Sequence, residues 1–179
     1  MKLCEVKCLI VHKEFLMQIR KARTGDQEQL IRLIAEFRVT LARLRGRTSK
    51  PNLDAARREL ADYQSPVYPV FVAESDDSKI VGYLICRVDG DVVWAEQLFV
   101  LPEYRREGVG SALYSQAERL CQEVGGDTVY TWVHPNNNTI ISFLQKRGYS
   151  VLNLIELRRA WPGEEPNQKI RVGDHEFDY

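Results

Sequence analysis

Arg105-Arg106-Glu107-Gly108-Val109-Gly110 is the stretch whose residue types and spacing could do chemistry. An apolar run, Leu98-Phe99-Val100-Leu101, leads through Pro102-Glu103-Tyr104 into two glycines one residue apart, and an amphipathic stretch follows. A strand, a tight turn and a helix start in that order aim successive backbone N–H groups at one point, at the positive end of the helix dipole. The amides of Arg106, Glu107, Gly108, Val109, Gly110 and Ser111 would form an anion cradle, and Arg105 and Arg106 add positive charge. Glycines let a phosphate approach the backbone with no Cβ in the way. A pyrophosphate is the natural guest, which implies a nucleotide-bearing cosubstrate. No Gly-Lys-Ser/Thr follows the glycines, so the loop does not read as that of a P-loop hydrolase.

The elements that position this loop follow from periodicity and turn chemistry. Residues 1–16 read as a separate N-terminal extension, either an added strand or an upstream start with little structural role. Residues 17–179 read as one domain. Met17 to Arg23 alternates as a first strand. Thr24-Gly25-Asp26 opens a helix with Asp26 as a cap. Leu30, Ile31, Leu33, Ile34, Phe37 and Leu41 recur at helical spacing, and a second helix opens at Asn52 or Asp54 and runs to about Tyr63. Strands are expected over Val70–Ala73, Ile80–Val88 and Val92–Val100, with Asp89-Gly90-Asp91 as a hairpin turn. After Gly110, Leu113, Ala117, Leu120 and Val124 mark one helical face, closed by Gly125-Gly126. Val129–Val133 is a short strand, Thr139–Arg147 a helix, Tyr149–Leu157 a strand and Ile170–Phe177 a last edge strand. The order βααβββαβαβ makes this an α/β protein with a single mixed, mostly antiparallel central sheet flanked by helices.

The whole chain narrows the function class. Its 179 residues suffice for one domain with a sizeable core. Twenty-five basic and 25 acidic residues cancel, so no overall field favours nucleic acid or an anionic membrane. No apolar run reaches membrane-spanning length. Lys7, His12, Lys13 and Glu14 interrupt the leading apolar stretch, which argues against a signal peptide. Cys4, Cys8, Cys86 and Cys121 form no C-x-x-C pair, so no metal is expected, and they read as reduced thiols of a cytoplasmic protein.

Val100-x-Pro102-x-x-Arg105-x-x-Gly108-x-Gly110 resembles the acetyl-CoA signature of the GNAT superfamily of N-acetyltransferases. Asn137 through Gly148-Tyr149 resembles the second block of that family, and the element order matches from about Met17 to Leu157. The resemblance implies acetyl-CoA as cosubstrate and direct transfer of its acetyl group to a primary amine in a ternary complex. The amine would belong to a small molecule, a peptide N-terminus or a lysine. It implies that the pantetheine arm pairs with the open strand edge at Leu98, Phe99 and Val100, and that the Val100 amide stabilises the thioester oxygen. Asn137 matches a residue contacting the pantetheine arm. Lys146 and Arg147 either reach the 3′-phosphate or form a solvated helix end.

Glu96 is the preferred proton sink, since several members carry a carboxylate there; the plainer reading is a structural hydrogen bond. The family often places a tyrosine where Leu144 stands, and leucine donates no proton. Tyr149, Ser142 and Tyr83 are the nearest hydroxyls to replace it, with Tyr149 better read as core packing. Trp132 stands where some N-terminal acetyltransferases have a Glu or His. His134 closes the same strand and is better read as a loop histidine. The family walls its acceptor site with the first two helices, which here carry Arg38, Arg43, Arg45, Arg47, Lys50, Arg57 and Arg58. A solvated face paired with Glu59, Asp62 and Glu36 is preferred to recognition of an acidic acceptor. A non-catalytic acyl-CoA-binding sensor is the alternative. A homodimer, where one forms, would use the strand after Tyr149 or the C-terminal tail.

Overall fold

The computed structural model describes residues 8–12 and 15–179. They fall into two compact units that divide between Asn138 and Thr139, each described by itself. The first is built on six strands in chain order: β1 (Cys8–His12), β2 (Phe15–Lys21), β3 (Val70–Glu74), β4 (Ile80–Asp89), β5 (Val92–Val100) and β6 (Val129–Tyr130). β1 through β5 pair antiparallel, and β6 pairs parallel to β5. The sheet is therefore mixed and mostly antiparallel, as expected. β1 lies inside the leading stretch, and β2 starts at Phe15, ahead of Met17. The readings of Lys7, Lys13 and Glu14 lie outside the described residues.

Two helices cover one face. α1 (Gln27–Leu44) buries Leu30, Ile31, Leu33, Ile34 and Val39, and α2 (Leu53–Asp62) buries Ala56 and Leu60. They share a core with Val72, Tyr83, Ile85 and Phe99 of β3, β4 and β5. Ile34 is fully buried, and each such side chain stabilises the fold by about 1.5–3 kcal/mol. Asn52 caps α2 by accepting the Ala55 N–H at 2.9 Å, worth about 1 kcal/mol. Asp26 stands before α1 but does not cap it. Its carboxylate accepts the Arg23 N–H at 2.7 Å and both terminal nitrogens of Arg20 at 2.7 and 2.9 Å. The Arg20 guanidinium, near the end of β2, outcompetes the helix amides.

α3 (Val109–Glu123) covers the opposite face with Val109, Leu113, Tyr114, Ala117 and Cys121. Gly82 permits the close fit. A Cβ there would stand 2.9 Å from the Phe99 carbonyl oxygen, 3.1 Å from Val100 Cγ2 and 3.2 Å from Leu113 Cδ1.

The second unit differs most from expectation. α4 (Asn138–Lys146) starts and ends one residue earlier than read, and Gly148, whose φ of +91° suits glycine, follows its end. Tyr149–Leu157 is not a strand. Its local alternation is strand-like, but a strand also needs a paired edge, and none among the described residues pairs with it. Ile170–Phe177 is not an edge strand of the main sheet but a hairpin of its own, β7 (Lys169–Val172) and β8 (His175–Asp178), turned by Gly173 at φ +59°. β6 is shorter than Val129–Val133 because its pairing with β5 stops at Tyr130.

Candidate functional site

The β4–β5 register shifts between Ile85 and Cys86. Ile85 faces Gln97 and Cys86 faces Ala95, so Glu96 is the extra residue of a β-bulge. β6 pairs with β5 only at Val93 and Trp94, and the Thr131 hydroxyl adds one bond to the Ala95 carbonyl at 3.0 Å. From the bulge onward, no strand among the described residues lies along that side of β5.

Antiparallel alternation decides which groups face the opening. The Leu101 N–H donates to the Val81 carbonyl at 2.9 Å, so Phe99 and Gln97 also turn their backbone groups toward β4. Leu98 and Val100 turn theirs to the open edge. Arg105 Nε donates to the Val100 carbonyl at 2.8 Å, and its guanidinium carbon lies 5.6 Å from the Phe99 ring centroid. The Val100 N–H is left facing the opening.

The turn beyond Pro102 takes the nest-like form expected. Arg106 has φ +68° and Gly108 φ +83°, and Gly108 stands at the N-cap of α3. No side chain caps α3, and no carboxylate lies in its first turn. The first helical bond runs from the Ala112 N–H to the Gly108 carbonyl at 2.9 Å, so the amides of Val109, Gly110 and Ser111 precede the helical ladder. A pyrophosphate fits this cradle. Arg106 and Glu107 are exposed.

The bulge also sends Glu96 and Gln97 to the same face. Arg87 alternates onto the same side of β4 as Tyr83 and Ile85, the side that bears α1 and α2, and its Nε donates to Glu96 Oε1 at 2.7 Å. Gln97, buried, accepts the Tyr83 hydroxyl at 2.8 Å and donates to Glu59 Oε1 at 2.5 Å and to the Tyr63 hydroxyl at 3.0 Å. Arg38 of α1 holds the Glu59 carboxylate with two nitrogens. Burial pushes the Tyr63 hydroxyl above its ordinary value, and the Glu59 and Glu96 carboxylates add to the shift. Burial raises Tyr83 well above its ordinary value, and its proton is committed to Gln97. This network has no motif in the sequence. Its one readable trace is the polar pair Glu96-Gln97 inside an otherwise apolar strand.

Glu96, Leu98, Phe99, Val100 and the Arg105–Ser111 turn are thus gathered along one strand and its following helix start. Asn137 lies in the loop after β6, where its N–H donates to the His134 carbonyl at 2.8 Å. His134 Nδ1 accepts the Asn136 N–H at 3.2 Å, and burial, then Arg45, lowers its pKa. Lys146 belongs to the second unit, on the last turn of α4, two residues after buried Leu144. On the basic helices, Arg38 pairs with Glu59 and Arg57 with Glu28.

Residues 36–149 match the model of the acetyltransferase (GNAT) family. The chain belongs to this family. GNAT membership makes it an N-acetyltransferase with acetyl-CoA as cosubstrate. It is 26% identical over 146 residues to the spermidine N(1)-acetyltransferase of Thermoplasma acidophilum, covering 75% of this chain and 89% of the relative. It is 31% identical over 77 residues to N-alpha-acetyltransferase 50 of Danio rerio, 40% of this chain and 46% of that one. The fold is shared with the aminoglycoside N-acetyltransferase AAC(6')-Iy in complex with CoA, at TM-score 0.66 and 20% identity, covering 84% of this chain and 99% of the other. It is shared also with AAC(6')-Ih from Acinetobacter baumannii, at TM-score 0.61 and 18% identity, over 81% and 99%. No helix among the described residues is long and apolar enough to cross a membrane.

Proposed function

We propose that this GNAT enzyme moves the acetyl group of acetyl-CoA to a primary amine by direct attack in a ternary complex, with the open edge of β5 as the meeting place. The observation that carries the reading is the Val100 N–H turned to that edge, one strand end away from the α3 anion cradle. Backbone of Leu98 and Val100 holds the pantetheine arm as an added strand would be held, while Phe99, expected to share this role, turns its backbone groups to β4. The amides from Arg106 to Ser111 hold the pyrophosphate, and Asn137 adds a contact to the arm. The Val100 N–H donates to the thioester oxygen as charge builds on it. Glu96, at the bulge, receives the proton that the ammonium must lose before attack.

Cys86 supports direct transfer over an acyl-enzyme. It lies across from Ala95 beside the bulge, but it is fully buried, and burial pushes its thiol up to about 12. Leu144 offers no proton and the Tyr83 proton is committed, so solvent protonates the departing thiolate, a tolerable leaving group with an ordinary thiol pKa near about 8.5. The amine-acetylating relatives, named for spermidine and aminoglycosides, support an amine acceptor.

Free, buried Cys86 and Cys121 support a reducing cytoplasm. Exposed Val151, Leu152 and Leu154 in the former strand candidate support a homodimer.

A coupled assay of CoA release across primary amines tests the reading. Amine-dependent release above the hydrolytic background is expected. Tight acetyl-CoA binding without release from any amine would overturn it.

A further inference from the structure

The face of the sheet that bears α1 and α2 carries an aromatic row beside Glu96. Trp94 of β5 and Tyr130 of β6 have ring centroids 5.2 Å apart. Trp94 and Trp132 stack at 4.3 Å and 22°. The stack occupies one face of the Trp132 indole, and the residue remains 55% exposed. The Arg87 guanidinium carbon lies 5.3 and 5.7 Å from the two centroids. Such similar distances put it at the rim of the stack, since a cation over an outer face would be much nearer one ring than the other. The outer face of Trp132 therefore looks outward beside the acceptor side of the bulge.

Arg87 is met by Glu96 at 2.7 Å and by Asp89 at 3.8 Å, so two carboxylates face one guanidinium. An indole face is the strongest side-chain surface for a cation, and the excess carboxylate favours the same guest.

We propose that Trp132 forms a cation subsite of the acceptor: the acceptor carries a second cationic nitrogen that sits on the outer indole face while the reacting nitrogen lies by Glu96. This rests on the placement of the acceptor at Glu96 given above. The substrate class is then a diamine or polyamine, and Trp132 selects it.

A linear aliphatic diamine, compared with the monoamine of the same carbon count, tests this in the full-length enzyme. KM for the diamine should be lower by about three- to tenfold. Trp132→Ala should bring the ratio near one, and Trp132→Phe should keep part of it. The diamine alone, without CoA, should shift the Trp132 indole N–H resonance. A ratio unchanged by Trp132→Ala, or an equal rise in KM for both amines, overturns the subsite. If the parent enzyme acetylates neither amine, the transfer reading falls, and the resonance decides the subsite by itself: a diamine-specific shift supports it and no shift overturns it.

Discussion

Arg105 spends its Nε–H on the Val100 carbonyl, 2.8 Å away, tying the turn that begins α3 to the strand edge that the turn serves. This changes what the first arginine of the motif does. Its charge contributes to the field at the cradle, but its hydrogen bond holds the last peptide of β5 in place. With the Val100 carbonyl occupied, the neighbouring N–H on the same edge is fixed in direction.

Arg105→Ala should therefore lower kcat more than it raises KM for acetyl-CoA. A charge-assisted bond to a carbonyl is worth about 1.5–3 kcal/mol, so a fall of about tenfold to a hundredfold is expected. Arg105→Lys should recover little, because a point charge does not reproduce the guanidinium geometry. Steady-state kinetics check this. A rise in KM with kcat intact would return Arg105 to a phosphate role.

Gly110→Asp places a carboxylate in the first turn of α3, where none stands now. The negative charge and bulk meet the phosphates at the helix N-terminus. Acetyl-CoA binding by calorimetry should be lost, while the apo protein keeps its melting temperature within a few degrees. Unchanged affinity would move the pyrophosphate elsewhere.

Much of this arrangement was legible. The Asp89-Gly90-Asp91 turn and Pro102 bracket β5 so tightly that Val92–Val100 is read with its observed bounds. Gly108 stands where a positive φ is needed. What was not legible depends on partners distant in the chain. The bulge at Glu96 is a mismatch between two strands and leaves no mark in either. The Gln97–Glu59 bond joins residues 38 apart and exists only once α2 has docked. Tyr149–Leu157 shows the converse: alternation is local, pairing is not.

Glu96→Gln should lower kcat by about a hundredfold or more, the usual worth of a positioned general base, and leave acetyl-CoA affinity close to that of the parent. Arg87 keeps an acceptor oxygen at the amide, so the fold should hold. Calorimetry beside single-turnover rates separates the two effects. A parental rate would remove Glu96 from the proton path.

The Arg20–Asp26 pair, with both side chains 9% exposed, should set an acid limit on stability. The hydrogen bond from Arg20 holds the Asp26 carboxyl below its ordinary 3.8, against the cost of burial. Because the folded-state value is depressed, the stabilisation is complete above 3.8 and is lost as pH falls through the lower folded value. Asp26→Asn should destabilise the protein at neutral pH by about 1–3 kcal/mol, since the Arg20 guanidinium loses one of its two carboxylates and keeps Glu74 at 2.6 Å, and should flatten the fall in stability below about pH 4. Urea titrations across that range check it. Parallel pH profiles for parent and variant would show that another carboxylate sets the limit.

Gly82→Ala tests how closely β4, β5 and α3 must meet at Val100. The added methyl would lie 2.9 Å from the Phe99 carbonyl oxygen, and a backbone atom cannot swing aside as a flexible side chain does. β5 must shift, and Val100 and Leu113 shift with it. Overpacking of this kind costs about 1–3 kcal/mol, so the melting temperature should fall. The sharper expectation concerns activity. Displacing Val100 misaims its N–H, so kcat should drop further than the loss of folded protein accounts for, measured at a temperature where the variant is fully folded. Full kcat in a destabilised Gly82→Ala protein would show that the β5 edge tolerates displacement, and the Val100 amide would lose its place as the donor to the thioester oxygen.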